Sequence, residues 1–513
     1  MRTLLAGIES PHAAVREACL AAILSRRSPA AHCEVLRRLH GLDERAKRLI
    51  RKHRGRMTQA FRDAVLDSDP QLCSNGCRAA VWFREYDLIP ALITALEDQS
   101  NLHAELAGKT LLELAERLYA ELAAPRDGAR HRDSQTIRHR VVGDLERSAA
   151  RFGRHRRRQV IEAYLLLVSR DNATLRRLLL DPHHTAFVVL VDVLSHSASG
   201  GVMRLLLSFL DDAHAPMAML NAAAERADLK FVRHFLRKIG REPSAMVRQN
   251  LKRIRAVSWI RDGLKLLDEL DELEQHAAVR LVMTSGMPRQ KAFSAVEKIL
   301  AEGKPAGRRA AAEALAEFDG AEANLLALSC LEDSDPHVQA NIIRQIRRRS
   351  IPGVLPRLVE MVDSPHAAVR RAVRDSLTEF SFSRFLAAFD MLDDEVRSTT
   401  GALVKKIDSE TIPLLQVEME SQARTRRLRA LTITRAMGAA AQLEGPIIRL
   451  LGDEDHMVRV EAALALGDCD SPASLDALRE AWDDRSASVR EAANASLGRR
   501  TQTGGWQEVV IET

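Results

Sequence analysis

Ser10-Pro11-His12-Ala13-Ala14-Val15-Arg16 returns letter for letter as Ser364-Pro365-His366-Ala367-Ala368-Val369-Arg370, 354 residues later. A marker on its Val-Arg pair recurs through the C-terminal half at Gly307-Arg308, Val338-Gln339, Val369-Arg370, Val396-Arg397, Leu428-Arg429, Val458-Arg459 and Val489-Arg490, at steps of 31, 31, 27, 32, 30 and 31. Backwards it continues through Val279-Arg280, Val247-Arg248, Met217-Ala218 and Phe187-Val188, at steps of 28, 32, 30 and 30. A step this constant is the signature of a repeat architecture.

Each unit reads as two amphipathic helices. Leu355, Leu358, Val359 and Val362 are followed by Val369, Ala372, Val373, Ser376 and Leu377, both sets at i, i+3, i+4, i+7 spacing. Between the halves, Ser364-Pro365, Asp335-Pro336 and Asp181-Pro182 each place an N-cap residue before a proline at the first helical position. One helix pair cannot cover its own apolar face, so units must stack. The expected fold is all-α: a right-handed α-α superhelix, or α-solenoid, of helical hairpins at about 31 residues per repeat. Composition agrees, since 46% of the chain is hydrophobic, mostly Ala and Leu, and only 4% is aromatic, a poor supply for strands.

The pattern of Leu-x-x-Leu, a turn with Asp, then Val-Arg-x-x-Ala resembles HEAT repeats, and the step near 31 resembles the short repeats of the phycobilisome-lyase-like class. The stretches 453–466 and 483–497 carry the resemblance most clearly. It implies a ladder between stacked units in which a turn Asp meets an Arg of the second helix. The candidates are Asp333, Asp363, Asp453 and Asp483 or Asp484, with Arg370, Arg397, Arg429, Arg459 and Arg490; Gln339 interrupts the column. The expected organisation is divergent HEAT-like helices over 1–123, a basic insertion or boundary over 124–158 opened by Pro125 and Gly128, divergent HEAT-like repeats over 159–300, regular repeats over 301–498, and a tail from 499 to 513 containing Trp506.

Charge is uneven. The stretch 37–62 holds ten Lys/Arg against Asp43 and Glu44, net +8, and 126–158 holds eleven Arg against four acids, net +7. With the whole chain at +6, the remainder carries −9. Lys47, Arg48, Arg51 and Lys52 share one helical face, with Arg54 and Arg56 following, and Arg154, Arg156, Arg157 and Arg158 form a run broken only by His155. Such density attracts polyanions by steering and counterion release, although Phe61 and Phe152 are the only aromatics among these residues to stack on bases. A solvated charged face is the competing reading.

No catalytic constellation stands out. A di-iron hydroxylase built on such repeats needs His-Glu dipeptides, and none of the 17 histidines precedes Glu. Ala107-Gly108-Lys109-Thr110 ends like a phosphate loop, but position 103 is His and the context is helical. Trp82 and Trp259, the aromatics a HEAT-like DNA glycosylase would need, sit on helical patterns that suit core packing. His12, His184, His214 and His366 recur three residues before the marker, too far apart in stacked units to share a metal ion. Cys73 and Cys77 lack the further ligands of a zinc site, and six cysteines in such a chain suit a reducing compartment. With no signal peptide before the first repeat and no apolar run long enough to span a bilayer, a cytoplasmic protein without a cofactor, metal or integral membrane contact is expected.

These observations favour a non-catalytic scaffold or adaptor that binds another protein along its concave face. A solenoid that binds nucleic acid or another polyanion through its basic segments is the alternative. A lyase-like or glycosylase-like enzyme is weaker and rests on resemblance alone.

Overall fold

The computed structural model describes the backbone of residues 1–124 and 128–503, with side chains described except at 54, 128–132 and 500–503. Among the described residues every regular element is helical. The chain forms two compact units, 1–310 and 311 onward.

In the first unit the helices lie in two rows. Second helices pack on their successors: Ala13–Ser25 on Glu44–His53, Pro70–Phe83 on Ala104–Ala123, and Ala104–Ala123 on Arg158–Leu167, followed by Phe187–His196 and Met217–Glu225. First helices form the parallel row, with Pro29–Arg37, Thr58–Leu66 and Ile89–Glu97 in succession. Buried Leu, Ile, Val and Ala fill the space between rows. In the second unit Pro336–Ile346 packs on Ala367–Ser376, and Arg424–Ala436 packs on His456–Leu466, which in turn packs on the helix beginning at Ala487.

Close approach is set by small residues. A Cβ on Gly201 would lie 2.7 Å from the Leu166 carbonyl oxygen, so the helix Gly200–Ser208 can meet Arg158–Leu167 only where no side chain intervenes. Gly201→Ala is expected to destabilise the first unit by ~1–3 kcal/mol, the range for overpacking, seen as earlier loss of helical circular dichroism in urea.

The described part of the segment 124–158, expected as an insertion or boundary, packs in the stack from Gly128 on. Gly128–Ala150 buries Val141, Leu145 and Ala149 and packs on Ile89–Glu97, Ala104–Ala123 and Arg158–Leu167. Its Arg-rich composition hid the apolar stripe, because three buried apolar side chains, with the buried Ser134 and Ser148 beside them, suffice to seat a long helix whose other faces are largely solvated. Pro125, Arg126 and Asp127, and the tail residues 504–513 with Trp506, lie outside the described residues.

Helix starts follow the capping rule in part. Asp335 accepts the His337 N–H at 2.9 Å, with Pro336 first in its helix. The opening motif works differently: its helices begin at Ala13 and Ala367, with His12 and His366 in the cap positions. Ser10 and Ser364 instead accept the N–H two residues on, at 3.3 Å in both copies, a serine turn ahead of the helix. At Asp181-Pro182 the same occurs: Asp181 accepts the His183 N–H at 3.1 Å, and the helix starts only at Phe187.

Candidate functional site

The repeated arginine clamps its own turn. Arg370 Nη1 donates to the Ser364 and Pro365 carbonyls at 2.7 and 2.9 Å, and Arg16 Nη1 does the same to Ser10 and Pro11 at 2.9 and 3.0 Å. These carbonyls precede a helix, point away from any backbone donor, and suit a guanidinium fork. Gln339 keeps one such bond, to the Asp333 carbonyl at 2.8 Å.

In several turns the clamp also reaches the next repeat, as where Arg16 Nη2 donates to Asp43 at 3.3 Å. Arg459 Nε and Nη2 lie 2.9 and 3.1 Å from the Asp484 carboxylate, while its Nη1 holds the Asp453 and Glu454 carbonyls. Arg427 makes the same set with Asp453, at 2.7 and 3.0 Å, and with the carbonyls of Ser421 and Gln422. Arg176 joins Asp212 at 2.6 Å to the Arg170 carbonyl. Asp484, Asp453 and Asp212 each also accept an N–H of their own turn, from Ser486, Asp455 and His214. The ladder thus ties the turn, its helix and the neighbouring unit together.

Several residues proposed for the ladder are placed otherwise. Arg427, two residues before Arg429, makes the contact; Arg429 bonds the Leu386 carbonyl and pairs with Asp390 at 2.9 Å. Asp363 pairs with Lys406 at 2.5 Å. Arg397, after the shortened step of the repeat, donates to the Phe389 carbonyl eight residues back and pairs with Asp394. Arg370 and Arg490 bond the carbonyls of their own turns, Arg490 that of Asp484 at 2.7 Å. Arg176 escaped the sequence pattern because it stands on a first helix, ahead of the Phe187-Val188 marker.

Most cations of the two basic segments whose side chains are described are already engaged. Arg37 pairs with Asp69 and Glu34, Arg38 with Glu9 and Glu34, and Arg45 with Glu17. Lys47 sits 2.7 Å from Glu44 and 4.5 Å over the Trp82 ring, and Arg48 and Arg56 donate to the carbonyls of Glu44 and Ser25. Arg51 and Lys52 are exposed on the last turn of their helix; the Arg54 side chain lies outside the described residues. In the second segment Arg140 pairs with Asp87, Arg147 with Asp144, Arg151 with Glu97, and Arg158 with Asp192.

The Arg154–Arg158 run is a folded turn, and it does not present one continuous cationic face. His155 is buried, edge-on to Phe152, with Nδ1 accepting the Arg157 N–H at 3.0 Å, so that Nε2 carries the proton it donates to the Ser148 carbonyl at 3.1 Å. Arg156 adopts φ 54°, and Arg157 turns back to the Asp98 carbonyl at 3.5 Å. Arg154 and Arg156 remain exposed. They stand where a second helix begins, whereas Arg51 and Lys52 stand where one ends.

The other candidate groups sit in structural roles. Trp259 is buried at 4% exposure, and Gly108 of the Ala107–Thr110 stretch lies mid-helix against Gln159. Cys73 and Cys77 are buried on one helix, with the Cys73 thiol facing the Val65 carbonyl; the neighbouring thiol and burial together push Cys73 far above an ordinary thiol. Among the described residues no three His, Cys, Asp or Glu side chains converge as a metal site, and no single helix is long and apolar enough to cross a membrane.

Stacked helical hairpins bound by arginine clamps define an α-helical repeat protein. Residues 293–378 and 409–498 match the family described as HEAT repeats. The phycobilisome-lyase-like subclass is not identified by that match. Comparison with curated proteins returns no match. Among solved structures, one from work on a phosphorylation switch controlling the interaction between cadherin and beta-catenin is 14% identical, covering 99% of this chain and 100% of its own, at a TM-score of 0.37. Another, of Kap121p bound to Pho4p, is 11% identical, covering 99% of this chain and 72% of its own, at a TM-score of 0.25. Likenesses this weak add nothing to the reading of the chain.

Proposed function

We propose that this chain is a non-catalytic scaffold that docks another protein along its rows of second helices, in a reducing, cytoplasmic setting. The observation that supports it is the division of labour in the repeats. Clamp arginines and turn aspartates are consumed in holding register, while the outward positions of adjacent second helices stay exposed, as at Arg348, Arg371 and Arg374 on and after Pro336–Ile346 and on Ala367–Ser376. A row of this kind offers one continuous surface to a partner. The engagement of most cations in 37–62 and 126–158 by carboxylates and carbonyls weighs against a polyanion track.

The test combines affinity purification with hydrogen exchange. One stoichiometric protein partner is expected, protecting second helices and released by Arg371→Glu with Arg374→Glu. The opposite result would be recovery of nucleic acid alone, with affinity falling steeply with salt and lost on charge reversal at Lys47, Arg48, Arg51 and Lys52. That outcome would replace the scaffold reading by the polyanion one.

A further inference from the structure

One arginine of the second basic segment, Arg138, and one from far along the chain, Arg204, meet in a cavity. An opening of about 120 Å³ is lined by Tyr119, Gln135, Arg138, Leu167 and Arg204, among others. It adjoins a groove of about 620 Å³ that shares Tyr119 and Arg204 and is further lined by Met203, Leu207, Lys230, His234, Arg237 and Lys238. Five helices contribute to their walls: the ends of Ala104–Ala123 and Arg158–Leu167, with Gly128–Ala150, Gly200–Ser208 and Leu229–Ile239.

The cations of this place divide into two kinds. Lys238 pairs with Asp211 at 2.5 Å and Arg237 with Glu274 at 2.9 Å. Arg138, Arg204 and Lys230 pair with no carboxylate among the described residues. Arg138 is half-buried and fixed by its Nε, which donates to the Leu167 carbonyl at 2.7 Å; Nη1 lies 3.5 Å from the Gln135 amide oxygen. Arg204 is held with its guanidinium 5.2 Å from the centre of the Tyr119 ring. Burial, and after it the charge of Arg204, pulls Arg138 below the usual guanidinium range. Two like charges held together in a partly desolvated cavity repel one another, and an anion between them relieves that repulsion. A guanidinium presents a planar fork that fits tetrahedral oxyanions through paired N–H bonds, and Tyr119 and Gln135 add neutral polar groups at the wall.

We propose that Arg138 and Arg204, with Tyr119 and Gln135, form a binding site for a phosphoryl group, and that the adjoining groove bearing Lys230 receives the remainder of the phosphorylated ligand. The phosphoryl group comes either from a small phosphate ester or from a phosphorylated side chain of a protein. The site stands whether or not a partner docks on the second helices.

The experiment is calorimetric titration of the full chain, in a phosphate-free buffer of low ionic strength, with inorganic phosphate, a phosphoserine peptide and the same peptide unphosphorylated. Both phosphorylated probes are expected to bind and to compete, and the unphosphorylated peptide to bind more weakly. Tighter binding of the peptide than of phosphate indicates a phosphorylated segment as ligand; equal binding indicates a small phosphate. Arg204→Gln, at an exposed position, is expected to weaken binding by about tenfold or more, the factor lost with one charge-assisted hydrogen bond. Arg154→Gln with Arg156→Gln is expected to leave it unchanged. Failure of every phosphorylated probe to bind at millimolar concentration overturns the proposal, as does unchanged binding in Arg204→Gln or equal loss in the Arg154/Arg156 control.

Discussion

Replacing Arg459 by Ala is expected to destabilise the second unit by about 3 kcal/mol, at the low end of the cost of breaking a buried ion pair. Side-chain exposure is 4% for Arg459 and 14% for Asp484, so the substitution strands a shielded carboxylate and frees the Asp453 and Glu454 carbonyls as well. The check is hydrogen exchange in His456–Leu466 and in the helix that begins at Ala487, where protection should fall together. Arg459→Gln should recover part of the loss, because Gln339 shows that an amide at this place still holds one turn carbonyl.

The same pair predicts a pH dependence. Burial raises the Asp484 carboxyl, but the Arg459 hydrogen bond, the Ser486 N–H and the charges of Arg459 and Arg485 outweigh it and hold the group below the usual carboxylate range. A folded-state pKa below the unfolded one gives stability that is present above the unfolded value, about 3.9, and lost as pH falls through the lower folded value. The gap between native and Arg459→Ala chains should therefore be full at pH 7 and narrow below about pH 4. A gap of equal size at pH 7 and pH 3 would show that the pair contributes through packing alone.

In the first unit the largest single effect is expected at Arg226. This arginine, 3% exposed, donates to the carbonyls of Leu194 and Ser197 at 3.1 and 2.9 Å, pairs with Asp228 at 2.8 Å, and lies 4.6 Å over the Phe231 ring. It closes the end of Phe187–His196 and fastens the start of Leu229–Ile239 through the Asp228 cap. Arg226→Ala leaves two buried carbonyls without their donor and a buried space beside Phe231, at a cost of about 3 kcal/mol. Arg226→Lys should recover little, since an ammonium cannot reach both carbonyls and the carboxylate in one plane. Thermal unfolding followed by circular dichroism, with exchange protection in Leu229–Ile239, measures both variants.

Arg226 also shows where sequence reasoning stops. It belongs to no repeated column, and its partners at 194 and 197 are identified only when the helices are stacked. The oxyanion cavity is harder still: Arg138 counted as one more charge in a basic segment, while Arg204 and Lys230 stood in a stretch with no marked surplus. Conversely, charge counting overstated 37–62 and 126–158, because Glu9, Glu17, Asp69, Asp87, Glu97 and Asp192, which neutralise several of their arginines, lie outside those segments.

What the sequence by itself determined is the repeat: the period near 31, the two amphipathic faces per unit, the turn between them and an arginine at a constant place. These are local properties, set by residues within one or two helical turns, and so they are written in short stretches such as 10–16 and 364–370. Which carboxylate that arginine meets, that Arg427 and not Arg429 makes the rung, that His155 folds a cationic run into a turn, and that Arg138 and Arg204 share a cavity were decided by tertiary structure. Apart from the His155 turn, whose partners lie within seven residues, each depends on groups tens of residues apart in sequence, and in a stack of near-identical units only the packed geometry says which ones touch.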